Sequence, residues 1–490
     1  MVVGTTQHPQ DQHQVYSIPT SLPSTQQNET WWKLNRKNRP QANSVATASF
    51  IFISGGINMA WKLGLSVNSN TGFLLTERMV SSWFEGALIG AIGGAYFSKY
   101  FPKKLLMWMS SMLVFISGIL QLTDPNSYDT IMASRYLNGL AVGFIFPLTF
   151  VLIGEELIRP LRGFHACSVD TISFSCGIFI QIIYPKLFSN DPEAPFSATQ
   201  MYGVLNIICG IIAFILTTIY LIESPIFYLL REDERMALDA LKALQKPHEL
   251  TAEIYEQLEE HKRYLAESKE KTFKENAIYG IPALLKLCFY RSFMALGFSY
   301  FVNFAFAYSS LVTAEPNTYF YIHIFYALAR LLGPLIASFT LDSLGRKPIM
   351  IIGFFGSTIL AFKVGAIFNN KLNYLIVERM NTVKYVLVFF QLFSSMSMAS
   401  SSAYLSEAFP LPVKRHYLTI VFMVEMLVHI IINSCKDLFV VNNLFCISDY
   451  FITLGSLSLV FLLMSIFIMP ETKLCSLREC LPKFRKFINF

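Results

Sequence analysis

The sequence has little charge for its length. Only 15% of its 490 residues are Asp, Glu, Lys or Arg, whereas 53% are hydrophobic and the mean hydropathy is +0.45. Soluble chains seldom combine so few charges with so much apolar surface, so the composition favours a membrane protein. The net charge of +6 is mild. Its basic residues fall in short loops and form no continuous stripe, which argues against nucleic acid as a partner.

Several chemical signatures are also missing. The eight cysteines show no paired spacing and no C-x-x-C motif, so we expect neither a structural disulfide nor a zinc site. There is no nucleophile elbow, phosphate-binding loop or cluster of metal ligands, so the sequence predicts no enzymatic activity, no cofactor and no bound metal. Residues 1–30 are rich in Gln, Ser, Thr and Pro and have no apolar core. This composition excludes a signal peptide and predicts a disordered tail.

The sequence is rich in apolar runs of about 18 residues or more, the length that crosses a bilayer. An all-α membrane protein with twelve transmembrane helices is therefore predicted. The spans, numbered in chain order, fall at about residues 45–64, 80–98, 104–122, 130–153, 165–185, 200–222, 292–312, 319–341, 348–367, 384–406, 417–438 and 449–469.

A long polar insert at residues 223–285 divides the spans into six plus six. Within it, Leu250–Lys271 is charged, contains neither Pro nor Gly and mixes Glu with Lys, which predicts a short helical surface domain. The predicted divisions are a disordered N-terminal tail (1–44), a six-helix bundle (45–222), a linker (223–285), a second six-helix bundle (286–469) and a C-terminal tail (470–490).

Basic residues predict the orientation in the membrane. The loops at 123–129, 313–318 and 440–448 contain no Lys or Arg. By the positive-inside rule the opposite face and both termini are expected in the cytoplasm. The loops and helix ends on that face contain Lys99, Lys103, Lys104, Arg159, Arg162, Arg346, Lys347, Lys414 and Arg415.

Small residues recur at every fourth position of span 2, at Gly86, Gly90 and Gly94. A stripe of this kind lets two helices approach closely. We therefore expect close helix packing along it, and closely packed surfaces of this kind can also slide past each other.

Six short motifs occur at predicted helix ends or within span 4. They are Arg135-Tyr136-Leu137-Asn138-Gly139 with Gly143, Glu155 to Gly163, Glu223-Ser224-Pro225, Asp342 to Lys347, Glu407-Ala408-Phe409-Pro410 with Lys414, and Pro470-Glu471-Thr472-Lys473. In this order they resemble the signatures of the sugar-porter family of the major facilitator superfamily, over about residues 45–475. The region around Trp61 and Trp83 resembles insect trehalose and sugar facilitators.

The resemblance implies a major facilitator fold, with two pseudo-symmetric halves and alternating access to a central site. It implies a small polar substrate, a hexose or a trehalose-like disaccharide, and a location in the plasma membrane. Two other functions remain open. The chain could carry an organic anion or another charged metabolite, or it could be a sugar sensor that does not transport.

The charges of these motifs form a predicted cytoplasmic gate. Acid–base pairs at equivalent places in the two halves can bridge the halves in one state and separate in the other, each pair contributing about 1 kcal/mol. The alternative is that the charges only set topology. The predicted gate pairs are Glu155 with Arg162 and Glu407 with Lys414, and Asp342 and Arg346 add to the cluster.

The sugar-contact positions implied by the resemblance have mostly changed in this chain. The paired Gln of helix seven is missing. The candidate substrate-binding residues are Thr171 at the fifth-helix Gln position, Asn303 and Tyr308 in helix seven, Arg330 at the eighth-helix Asn position, Ser402 at the tenth-helix Trp position, and Glu425 and His429 at two eleventh-helix Asn positions.

Arg330 and Glu425 are predicted to pair near the substrate. Arg330 lies about 18 Å into helix eight, and charges at that depth must pair or face a wet cavity. The pair could join two helices, or Arg330 could receive an anionic or strongly hydrogen-bonding substrate. Alternatively, Glu425 or Asp170 could carry a proton beside His429. Helix one offers no acidic residue for such coupling, only Asn58.

Overall fold

The computed structural model describes residues 31–61, 77–188, 198–314, 318–440 and 446–486. A helix occurs at each of the twelve predicted spans. In chain order the spans are Ser49–Met59, Glu77–Phe97, Lys103–Thr123, Tyr128–Glu156, Arg159–Cys167 with Ser173–Phe188, Ala198–Tyr220, Phe273–Gly297 with Tyr300–Val312, Thr318–Leu341, Arg346–Asn369, Val377–Glu407, Lys414–Val440 and Cys446–Ile468.

Ten helical segments of the described chain, spans 3 to 12, are long and apolar enough to cross a membrane. The described helix of span 1 has only 11 residues. Span 2 is not among these ten segments. It contains the Gly and Ser residues of a close helix crossing, and these residues reduce its hydropathy. Large apolar side chains point away from the protein along several spans, among them Ile215, Ile359 and Leu463, which are 48%, 51% and 55% exposed. Such a surface requires lipid as its solvent.

The helices pack in the same pattern in both halves. In the first half, span 2 packs on span 4, span 3 on span 6, and span 1 on span 5. In the second half, span 8 packs on span 10, span 9 on span 12, and span 7 on span 11. Between the halves, span 2 packs on span 11 and span 5 on span 8. Within the halves, adding six to both span numbers of a first-half contact gives the corresponding second-half contact. The two halves are therefore pseudo-symmetric, as predicted.

The glycine stripe of span 2 lies directly against span 4. A Cβ atom built on Gly90 would overlap the carbonyl oxygen of Leu140, and one built on Gly94 would overlap that of Phe144. Only glycine permits this backbone-to-backbone approach. The predicted close packing is confirmed.

Part of the predicted disordered N-terminal tail is helical. Trp31–Lys37 and Arg39–Ala46 form two short helices, whereas residues 1–30 lie outside the described residues. Leu34 is buried, and the Gln41 Oε1 atom accepts a hydrogen bond from the Ile158 backbone at 3.2 Å. The prediction of disorder was wrong here because a polar composition does not show that Gln41 docks on the bundle.

The linker ends earlier than residue 285. Three helices form it, Pro225–Leu229, Glu234–Ala243 and Ala252–Glu270. A capping box between Thr272 and Glu275 then starts a helix that continues without a break into span 7. Hydropathy missed this extension because it detects only the part of a helix that lies in lipid.

The C-terminal tail contains a helix, Leu477–Arg485, with its own capping box. It is fastened to the second half by Lys286, whose ammonium group donates to the backbone carbonyls of Ile468, Phe484 and Lys486 at 3.0, 2.9 and 2.8 Å. Linker and tail lie on the same side of the bundle, since Arg478 of the tail pairs with Glu267 of the linker. We call this side the linker-side mouth.

Candidate substrate site and gate

A buried ionic triad joins the two halves of the protein. Arg291 of span 7 places its Nη1 atom 2.9 Å from the Asp170 Oδ2 atom and its Nε atom 2.7 Å from the Glu425 Oε2 atom. The three residues are 1%, 0% and 3% exposed, respectively. Asp170 belongs to span 5 in the first half, and Glu425 belongs to span 11 in the second. The triad therefore links the halves inside the protein.

Hydroxyl groups extend this contact between the halves. The Ser402 hydroxyl donates to Asp170 Oδ2 at 2.8 Å, and the hydroxyls of Thr171 and Ser402 lie 2.7 Å apart. Arg291 also donates to the Ser401 hydroxyl at 3.1 Å. Two predicted substrate-site residues, Thr171 and Ser402, thus lie together, and the halves touch at their level.

A local irregularity in span 5 positions Asp170 and Thr171. The segment Ser168–Ile172 forms a π-helical turn between two α-helical stretches. Such turns insert an extra residue and turn the side chains that follow, and they are frequent at functional sites. Both side chains are fully buried, Asp170 in the triad and Thr171 against Ser402 beside it. No residue in the segment predicts the turn from sequence.

The predicted pair between Arg330 and Glu425 is wrong. No carboxylate of the described residues lies within ion-pair distance of Arg330, and Glu425 is bound by Arg291. Arg330 instead donates from Nη1 to Gln391 Oε1 at 2.8 Å, and its guanidinium lies 4.0 Å from the centre of the Phe298 ring. The error arose because Arg291 immediately precedes the predicted start of span 7 and was not recognised as a buried charge.

Span 7 is broken beside Arg330. Its first helix ends at Gly297, and the second begins after Ser299, whose hydroxyl accepts from the Val302 backbone at 3.4 Å. The freed Gly297 carbonyl accepts a hydrogen bond from Gln391 Nε2 at 3.1 Å. Broken helices whose backbone groups are satisfied by neighbours are typical of substrate sites in transporters.

Asn303 belongs to the same network. Its Oδ1 atom accepts from the Tyr326 hydroxyl at 2.8 Å, and that hydroxyl accepts from Gln391 Nε2 at 3.0 Å. Asn303, Tyr326, Gln391 and Arg330 therefore form one continuous polar chain across spans 7, 8 and 10. Neither Tyr326 nor Gln391 was among the predicted site residues.

The other two candidates lie in different places. The His429 ring stacks on Phe84 of the first half with ring centres 4.5 Å apart, and its Nε2 atom has no hydrogen-bond partner. His429 therefore lies at the interface between the halves. Tyr308 donates to the Tyr374 carbonyl at 3.3 Å, in the connection between spans 9 and 10, and does not join the central network.

Charged residues also join the halves at the linker-side mouth. Asp342 of the second half accepts from the backbone nitrogens of Gly163 and Phe164 at 3.2 and 2.8 Å. Arg162 of the first half lies 3.9 Å from Glu407 of the second. Burial raises the pKa of Asp342 to about 6, against the opposing effect of Arg346.

The pairing of the gate residues differs from the prediction. Arg346, which the sequence placed in the cluster without a partner, binds both Asp342 and Glu407, with each distance 3.2 Å. Glu155 pairs at 3.1 Å with Lys103, a residue that sequence analysis assigned only to a basic loop.

Both predicted gate pairs, Glu155 with Arg162 and Glu407 with Lys414, are wrong. Neither appears among the ion pairs of the described chain. Glu155 and Arg162 do not pair within the first half, because Arg162 is directed toward Glu407 of the second half. Lys414 is buried and acts electrostatically on Glu155 without forming an ion pair of 4.0 Å or less.

The two helical halves, the buried polar network between them and the charged cluster at one mouth define a transporter of the major facilitator type. The family model described as "Sugar (and other) transporter" matches residues 14–484, and the chain belongs to this family. Its members are integral membrane transporters and not enzymes, and this chain is a multi-pass sugar transporter by the same evidence.

Curated relatives share low but extended identity with the chain. Hexose transporter 1 of Plasmodium knowlesi is 21% identical over 444 residues, which cover 85% of this chain and 84% of the relative. The facilitated glucose transporter member 2 of solute carrier family 2 from Sus scrofa is 24% identical and covers 91% of this chain and 80% of the relative. Both similarities extend over most of the two halves.

Solved structures share the fold. The proton:xylose symporter XylE bound to 6-bromo-6-deoxy-D-glucose matches with a TM-score of 0.76 at 19% identity, covering 92% of this chain and 100% of that chain. The inward-open conformation of XylE from E. coli matches with a TM-score of 0.62 at 19% identity, covering 89% of this chain and 98% of that chain. Each match supports the assignment of a major facilitator fold.

Proposed function

We propose that the protein carries a hexose or a disaccharide across the plasma membrane by alternating access, with both termini in the cytoplasm. The observation that carries this proposal is that the two halves contact each other at two depths in the protein. One level is the Asp170–Arg291–Glu425 triad and the other is the linker-side cluster around Asp342. Side chains of opposite halves meet at both levels, so separating the halves would open a path to the central network.

The polar contacts between the halves suit a gate because each of them is weak. At the mouth they include the Arg162–Glu407 approach of 3.9 Å and the two backbone hydrogen bonds to Asp342, beside an apolar contact between Phe164 and Phe339. A typical hydrogen bond contributes about 1 kcal/mol net. A few such bonds stabilise one state without preventing the change to a second state of similar energy.

Arg135 supports passive transport. Its three guanidinium nitrogens donate to the backbone carbonyls of Met79, Asn58 and Val80 at 2.8, 3.0 and 3.1 Å. Its charge also lies 4.6 Å from the centre of the Trp61 ring. No carboxylate of the described residues forms an ion pair with it, so its charge is satisfied by backbone carbonyls and not by a titratable acid that could carry a proton.

The charges at the linker-side mouth support this orientation. Arg159 and Arg162 lie there, as do Arg346 and Lys414, and basic loops stay in the cytoplasm. In this orientation the triad and the linker-side cluster close the cytoplasmic side of the central network.

The direct test is uptake of labelled glucose and trehalose by the purified protein in liposomes. We expect sugar to equilibrate across the membrane at a rate that is unchanged by a proton uncoupler. Accumulation of sugar above equilibrium that an uncoupler abolishes would contradict passive transport. Sugar binding without flux would show a sensor and overturn the proposed activity.

A further inference from the structure

The Arg330 guanidinium is held rigidly in the second half. It lies 4.0 Å from the centre of the Phe298 ring and donates from Nη1 to Gln391. Gln391 is fixed in turn by hydrogen bonds to the Gly297 carbonyl and the Tyr326 hydroxyl. Arg330 is 2% exposed. A cationic group with this support is pre-organised, because little side-chain freedom remains to be lost when a ligand binds.

One edge of this guanidinium has no partner. The Nε and Nη2 atoms of Arg330 are buried and make no hydrogen bond. In the planar group these two N–H bonds point in the same direction, and their spacing matches the two oxygens of a carboxylate. A buried cation with unsatisfied donors is costly. This edge can therefore receive a ligand, and its geometry suits a planar anion.

The surrounding charges favour a single negative charge. Arg291 is bound by both Asp170 and Glu425, so the triad has two carboxylates against one guanidinium. Glu425 also acts electrostatically on Arg330. These carboxylates oppose a ligand with one negative charge at the bidentate edge of Arg330 less than they oppose a phosphate dianion.

The open edge also lies near the interface between the halves. His429 stacks on Phe84 of the first half, and Arg330 is close enough to act electrostatically on His429. The His429 Nε2 atom is buried without a partner and supplies a second unused polar group.

We propose that Arg330 is a subsite for a carboxylate on the transported solute, so that the protein accepts sugar acids of the hexuronate or aldonate class. This inference rests on the proposed function, since it assumes a sugar transporter. Arg330 binds the carboxylate through Nε and Nη2. The Asn303–Tyr326–Gln391 chain provides neutral groups of the kind that bind hydroxyls.

The test compares D-glucuronate with its methyl ester, which has nearly the same shape without the charge. Both compounds compete with labelled glucose for uptake by the protein in liposomes. In the wild type we expect half-maximal inhibition at a concentration of glucuronate at least about tenfold lower than that of the ester. Arg330→Gln should abolish this preference, and Arg330→Lys should retain only part of it. Lys363→Gln removes an exposed cation from span 9 and should leave the preference unchanged.

The outcomes separate the two proposals. Glucose uptake with equal inhibition by glucuronate and its ester would overturn the carboxylate subsite and leave sugar transport intact. Survival of the preference in Arg330→Gln would also overturn the subsite. Absence of flux for every sugar and sugar acid would overturn the proposed function itself. If Arg330→Gln does not fold, the wild-type comparison and the Arg330→Lys variant decide.

Discussion

Arg291 neutralises the buried carboxylates at the centre of the protein. It is the shared partner of Asp170 and Glu425, and all three lie in a region almost without exposure. Removing one partner of a buried ionic group leaves uncompensated charge, which costs far more than removing the whole group. The triad therefore has consequences for stability that can be separated from its role in transport.

Replacing Arg291 by Met should destabilise the protein by about 3–5 kcal/mol, because two buried carboxylates lose their common cation. The triple variant Arg291→Met, Asp170→Asn, Glu425→Gln should recover much of that stability. Thermal unfolding of the purified variants measures both effects. A single variant as stable as the wild type would show that the triad does not hold the structure.

Asp342 makes closure of the linker-side mouth dependent on pH. Its pKa is about 6 when buried against the first half, whereas its ordinary value is 3.8. Since the buried carboxyl binds its proton more tightly than an exposed one, protonation favours the closed state as pH falls below about 6. Arg346 and Glu407 are the charged side chains that face it.

Lowering the linker-side pH from 7.5 to 5 should shift the population toward closure at that mouth, and Asp342→Asn should abolish the shift. Chemical labelling of a cysteine introduced at Ser343, beside Asp342, would report the opening. Unchanged pH dependence in Asp342→Asn would assign it to another group.

At the scale of the helix, the crossing of spans 2 and 4 makes a second kind of test possible. Gly90 lies against backbone of span 4, whereas a Cβ atom on Gly93 would come no closer than 3.4 Å to the Phe144 ring. The two glycines are neighbours on one helix with different surroundings. They form a matched pair for substitution by alanine.

Gly90→Ala should lower stability by about 1–3 kcal/mol, because the two backbones must separate. Gly93→Ala should be neutral or slightly stabilising, because alanine is the better helix former. Melting temperatures of the two purified variants test the difference. Equal effects of both substitutions would contradict the close crossing.

The helices show which features of the fold the sequence could predict and which it could not. The twelve spans and the glycine stripe were predictable because hydropathy and residue size act locally. The π turn at Ser168–Ile172 and the break after Gly297 were not, since side chains distant in sequence compensate for the lost backbone bonds. Thr171 and Ser402 were predicted at the site. Arg291 was missed, although the capping box at Thr272 was an available signal that its helix begins much earlier.

For the whole molecule, the proposed alternating access depends on polar contacts that join the two halves at the linker-side mouth. Arg162 reaches Glu407 across that mouth, with side chains 6% and 1% exposed. Arg159 lies close by but pairs with Glu260 of the linker at 2.7 Å, where both side chains are partly exposed. Loss of Arg162 should therefore weaken closure, whereas loss of Arg159 should not.

The most direct measurement is the distance between spin labels at Lys99 and Leu344, exposed positions on the linker-side loops of opposite halves, in lipid nanodiscs. We predict two distance populations in the wild type. Arg162→Gln should increase the ratio of the longer to the shorter distance by about tenfold, which corresponds to about 1.4 kcal/mol, and Arg159→Gln should leave it unchanged. A single distance that neither sugar nor Arg162→Gln alters would contradict alternating access in this protein.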